Sequence, residues 1–160
     1  MDLRKGLFVG AILGTMIVLL ASAPAAAGPP FDFRSVAPCR LLDTRQVGPQ
    51  TNGLALTNPG PYTFRVQGNC GVPNGAVAAV MNISVIAPTQ AGYLLVWPAG
   101  TAQPTVASIS YPAGISALSN GATVPLSAVV VSTDKDISVV IGMGTSGSLH
   151  LAIDLTGYFQ

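Results

Sequence analysis

The densest group of charged side chains is Arg40, Asp43 and Arg45, inside the run Pro38-Cys39-Arg40-Leu41-Leu42-Asp43-Thr44-Arg45. A guanidinium forms paired hydrogen bonds with carboxylates, so these arginines could line a site for a carboxylate or a sugar acid. The competing reading is structural: Asp43 pairs with Arg45, Arg40 or Arg65 and fixes a loop. The structural reading is preferred in a chain this poor in charge. On regular extended backbone, Cys39, Leu41, Asp43 and Arg45 point one way, and Arg40, Leu42 and Thr44 the other. Three aromatic residues, Tyr93, Trp97 and Tyr111, are candidates for a sugar-stacking platform. Tyr93 and Trp97 share a strand face, which is an exposed strip if Leu94 and Val96 point inward and core otherwise; core is preferred.

Catalytic constellations are weak. His150 and Asp154 lie four strand residues apart, roughly 13 Å, too far for a hydrogen bond. Ser and Thr are plentiful, so a nucleophile beside His150 remains open, but no Gly-x-Ser-x-Gly elbow occurs. Glycoside cleavage by paired carboxylates would have to draw on aspartates alone. Asp134 and Asp136 flank Lys135 in a tight turn that could bind calcium; the lysine and the lack of further oxygen ligands favour a solvated turn. The expectation is no enzyme, no cofactor and no metal site.

The amino end carries Arg4 and Lys5, an apolar run from Leu7 to Leu20, and Ala25-Ala26-Ala27. These are the three parts of a secretory signal peptide, with cleavage expected after Ala27. An uncleaved anchor is the alternative, although the run is short for crossing about 30 Å of hydrocarbon. Residues 1–27 are thus read as a signal peptide and 28–160 as one domain, with no stable membrane span after cleavage. The domain is expected outside the cytoplasm, secreted, at the cell surface or in a periplasm. Two cysteines, Cys39 and Cys70, fall in the exported part, and an even pair in an oxidising compartment reads as a disulfide.

Past residue 27 the basic residues are Arg34, Arg40, Arg45, Arg65 and Lys135, and the acidic ones Asp32, Asp43, Asp134, Asp136 and Asp154. The charges balance and none cluster as a basic face. That argues against nucleic acid and against docking on anionic lipid.

The elements that must position these residues have a period of two. Tyr62, Phe64 and Val66 alternate with polar neighbours, and Leu149, Leu151, Ile153 and Leu155 alternate with His150, Ala152 and Asp154. Residues 77–86 and 93–97 read as a hairpin joined by Pro88-Thr89-Gln90-Ala91-Gly92 and closed by Pro98-Ala99-Gly100. Further strands are expected over 106–111, 123–131 and 137–141, with Pro125 marking an edge or a bulge. Two shorter extended pieces, 31–36 and 39–43, precede a long loop from Thr44 to Pro61. Seven to nine short strands without an amphipathic helix predict an antiparallel β-sandwich, jelly-roll-like.

Four landmarks in order carry a resemblance: the Pro38–Arg45 run, Cys70-Gly71-Val72-Pro73, the stretch from Asn82 through Pro98-Ala99-Gly100, and Asp154-Leu155-Thr156-Gly157-Tyr158-Phe159. Together, from about Phe31 to Phe159, they resemble a β-sandwich module of exported actinobacterial and myxobacterial proteins. The resemblance implies location and fold, and brings no activity with it. The function expected is a non-catalytic domain for attachment or assembly, its partner being cell wall, extracellular polysaccharide or a copy of itself. The competing class is a secreted hydrolase with a Ser/Thr–His site.

Overall fold

The computed structural model describes residues 30–58, 60–128, 135–144 and 146–160. The expected signal peptide, Asp134 and the end of the strand expected over 123–131 lie outside them. Among the described residues there is no helix, and none long and apolar enough to cross a membrane. Eleven strands form: β1 (Phe33–Asp43), β2 (Val47–Gly48), β3 (Thr51–Asn52), β4 (Leu56–Thr57), β5 (Tyr62–Phe64), β6 (Ala78–Ile86), β7 (Gly92–Pro98), β8 (Ile109–Tyr111), β9 (Ala117–Pro125), β10 (Ile137–Gly142) and β11 (Ser148–Phe159).

The principal strands build two antiparallel sheets, not closed into a barrel. The larger runs β1-β11-β6-β9, with β4 also paired to β11; the smaller runs β5-β10-β7-β8. The β2–β3 hairpin stands apart from both. This is the all-β sandwich that the two-residue period calls for. Burial in β6 alternates strictly, with Ala79, Met81, Ile83 and Val85 inward. They meet Leu149, Leu151, Ile153 and Leu155 of β11 and, from the facing sheet, Leu94, Val96, Ile137, Val139 and Ile141. Each fully buried aliphatic side chain contributes about 1.5–3 kcal/mol.

Several expectations need correction. β6 and β7 are not a hairpin: β6 pairs with β11 and β9, and β7 with β10 and β8. Both strands carry an apolar face, and crossing between sheets lets both faces share one core. The chain turns at Ala87, whose φ of 47° lies in the left-handed region. The strand expected over 123–131 instead begins at Ala117 and ends at Pro125, on the edge of the larger sheet. Pro125 does mark an edge, because it has no N–H to extend the ladder. The strand expected over 106–111 shortens to β8, with Val106 exposed. The two extended pieces at the amino end are one strand, β1, bent by register shifts between Ser35 and Cys39 and between Arg40 and Leu42.

The disulfide between Cys39 and Cys70 ties β1 to the turn after β5, with Cα atoms 5.7 Å apart. That turn is tight: Asn69 N–H donates to Val66 O, Val72 N–H to Asn69 O, and Gly68 N–H to Val72 O. Cys70 itself has a φ of 52°, a conformation that an L-residue adopts at a cost of about 1–2 kcal/mol.

Candidate functional site

The charged group lies on the outer face of the larger sheet. Arg40 stands opposite Asp154, and Asp43 opposite Ala152. The register shift after Arg40 puts Arg40 and Asp43 on the same side, contrary to the regular alternation expected of them. A bulge absorbs one residue and so reverses the facing of everything beyond it. Arg40 Nε donates to Asp154 Oδ1, Nη2 to Asp154 Oδ2 at 3.3 Å, and Nη1 to Asp43 Oδ2 at 2.8 Å. Arg45 grips Asp43 from the other side, Nε to Oδ1 at 2.9 Å and Nη2 to Oδ2 at 2.6 Å, and its backbone N–H reaches Oδ1 at 3.1 Å.

The result is a chain of alternating charge, Arg45–Asp43–Arg40–Asp154. The Asp43 side chain is 3 % exposed, whereas each arginine is 48 % exposed. Hydrogen bonds from Arg45, with the charges of Arg45 and Arg40, outweigh burial and hold the Asp43 carboxyl down at about 2. Its hydrogen bond to Asp154 raises Arg40, and that to Asp43 raises Arg45. Arg65 is not a partner of Asp43; its Nε donates to Gln67 O. Two arginines and two aspartates cancel, so an acidic ligand would meet a neutral assembly whose guanidinium edges already face carboxylates. A concavity of about 260 Å³ lies beside Arg40 and Asp43, walled by Gly48 to Thr51 of the β2–β3 hairpin.

His150 and Asp154 do not meet: Asp154 is engaged by Arg40, and His150 Nδ1 lies 3.1 Å from Thr44 Oγ1. The Thr44 hydroxyl also accepts Leu151 N–H at 2.9 Å and is buried. A threonine beside His150 therefore exists, but it is tied into the β1–β11 seam. Of the turn expected at Asp134–Asp136, Asp134 lies outside the described residues and Asp136 differs from expectation. Asp136 is buried rather than solvated, its Oδ2 accepting Val66 N–H at 2.6 Å and Gln67 N–H at 2.7 Å. Lys135 Nζ donates to Thr63 O. Among the described residues no cluster of three or more His, Cys, Asp or Glu could hold a metal ion.

The aromatics separate. Leu94 and Val96 point inward, so Tyr93, Leu95 and Trp97 share the outer face of the smaller sheet. That face is nevertheless not an exposed strip. Leu95 is 3 % and Trp97 6 % exposed, and the Trp97 indole N–H donates to Thr101 O in the connection from β7 to β8. Tyr111 is also buried, its hydroxyl 3.4 Å from Tyr93 O, and burial pushes that phenol up to about 12. No three-ring platform forms. Tyr93 alone remains accessible, at 45 %. Its ring lies over Gly142, where a Cβ would collide with the ring atoms.

Beside Tyr93 opens a cleft of about 380 Å³, floored by Leu95 and walled by Gln103, Pro104, Thr105, Ala107 and Ser110. Its size suits a small ligand. The lining has no charged residue. Gln103, Thr105 and Ser110, with an amide and two hydroxyls, are exposed and line it. Sequence reading missed these three residues: Ser110 lies within β8, and nothing in the connection that carries Gln103 and Thr105 shows that it folds back beside a neighbouring strand.

No family model and no curated protein matches the sequence. Among solved structures the chain is similar to one from a cyanophage Pam1 capsid asymmetric unit, at 17 % identity and a TM-score of 0.39, covering 92 % of this chain and 99 % of that one.

Proposed function

We propose that this chain is a non-catalytic, exported attachment domain that binds an uncharged polysaccharide in the cleft at Tyr93. The carrying observation is one accessible aromatic ring beside a cleft whose lining has no charged residue and includes the amide of Gln103 and the hydroxyls of Thr105 and Ser110. A sugar ring offers an apolar C–H face, which stacks on an aromatic side chain, and a rim of hydroxyls, which amides and alcohols satisfy without charge. The alternative ligand-binding group, Arg40, Asp43 and Arg45, is neutralised together with Asp154, and Arg40 bridges β1 to β11. Export is supported by the signal-peptide pattern in residues 1–27 and by a disulfide, which persists in oxidising compartments.

The test is a pull-down of the oxidised domain on insoluble polysaccharides and wall fragments. Retention of the native chain, with loss of about tenfold in affinity for Tyr93→Ala, is the expected result. Gly142→Ala, which displaces the Tyr93 ring, should weaken binding in the same direction. Equal retention of all three proteins would refute the cleft.

One contact favours a second reading, a hydrolase using Thr44 and His150, since their polar atoms are 3.1 Å apart. Its burial and its bond to Leu151 N–H keep the Thr44 hydroxyl from substrate. Turnover on ester, peptide and glycoside panels should therefore be nil; turnover abolished by His150→Ala would reverse this.

A further inference from the structure

Among the described residues the larger sheet ends on β1 and β9, with the two-residue β4 also terminal on β11, and the smaller sheet ends on β5 and β8. An edge strand offers unpaired N–H and C=O groups to any other chain, and proteins ordinarily blunt it. β5 and β8 are only three residues each. β1 is interrupted by two register shifts, carries Pro38, Arg34 and Arg40, and is anchored by its disulfide.

β9 has none of these devices. It pairs with β6 through nine consecutive positions without a shift, has no charged residue, and reaches a proline only at its last position. Most of its residues are exposed. Its hydrogen-bonding phase follows from the ladder ends, where Leu126 N–H donates to Val77 O and Ala87 N–H to Ser116 O. Alternation then turns the even-numbered residues toward β6 and sends the amides of Ala117, Ser119, Gly121 and Thr123 outward.

The strand is also self-complementary about its central residue, Gly121. Reversing a second copy across it sets Leu118 opposite Val124 on the core side and Ser119 opposite Thr123 on the outer side, apolar against apolar and hydroxyl against hydroxyl, while Asn120 falls opposite Ala122 and Ala117 opposite Pro125. This symmetry of type is what selects a copy of the same chain over an unrelated strand.

We propose that two copies of this protein associate through β9, antiparallel about a two-fold axis at Gly121, joining their larger sheets into one. Up to about eight backbone hydrogen bonds cross the junction. Leu118, 38 % exposed in the single chain, is covered by the partner. The inference goes beyond the carbohydrate reading and stands without it.

The test is sedimentation of the oxidised protein from about 10 μM to about 1 mM, since a single strand pair buries less than a standard interface. The native chain should pass from monomer to dimer, and Leu118→Lys should move the midpoint at least about tenfold higher. Two cysteine variants locate the axis. A Cβ at Gly121 would meet nothing within 4 Å. The paired positions at the axis lie about 5.5 Å apart, within disulfide reach. Gly121→Cys should therefore crosslink to its copy on oxidation. Ala117→Cys should not, because its two copies are about 27 Å apart. A monomer at every concentration, or equal crosslinking at both positions, would overturn the proposal. Should Leu118→Lys fail to fold, the cysteine pair decides alone.

Discussion

Asp43 shows how few charges can be arranged to cost little. A buried carboxylate is expensive unless every lone pair is engaged. Here it receives four hydrogen bonds, three from Arg45 and one from Arg40. The consequence is a pH dependence of definite sign. The folded-state value is about 2, below the 3.8 of an unperturbed aspartate. Above about pH 4 the carboxylate is charged in folded and unfolded chains alike, and its stabilisation is whole. As pH falls toward about 2 the unfolded chain takes up the proton first, and the contribution is lost. Asp43→Asn should therefore lower the melting temperature clearly at pH 6, with a loss of about 2 kcal/mol, and the gap to the native chain should close near pH 2. A gap that stays constant over that range would show that Asp43 acts without its charge. The residue types and spacing announced the group, but not its geometry. The bulge between Arg40 and Leu42 is invisible in a run that alternates only in part, and it decides that Arg40 and Asp43 share a face.

At the scale of elements, legibility tracks how completely one face of a strand is buried. β6 and β11 each turn one apolar face to the core; β6 stands in the sequence almost at its observed bounds, whereas β11, expected over 149–155, runs on to Phe159. β9 does not stand out in this way, since Leu118 and Asn120, on its core-facing side, remain exposed, Asn120 Nδ2 donating to Ser108 O rather than packing in the core. No apolar period can mark such a strand. Trp97 gives the complementary case. Periodicity set Trp97 on one face with Tyr93 but left open which face that is, with core preferred; it is the outer face, and what covers Trp97 there is the connection after β7, whose only signals are turn residues. A direct check follows. The single tryptophan should emit at blue-shifted wavelengths and resist quenching by iodide and acrylamide. A red-shifted, readily quenched emission would mean that the 99–108 connection does not lie over β7.

For the whole molecule, the two sheet exteriors differ in what they present. On the larger sheet the exterior carries the neutralised Arg–Asp chain and the unguarded edge β9; on the smaller it carries the Tyr93 cleft. A domain with balanced charge and an uncharged cleft is suited to hold a neutral polymer without electrostatic steering. Salt then separates the two candidate binding surfaces, because screening weakens exposed charge pairs and leaves stacking and neutral hydrogen bonds in place. The decisive measurement is a co-sedimentation isotherm of the oxidised domain with insoluble polysaccharide, at low and at molar salt, for the native chain and for Tyr93→Ala. Binding that persists in molar salt and is lost in Tyr93→Ala is the predicted result. Binding released by salt and indifferent to Tyr93→Ala would contradict it and move the site to the arginines.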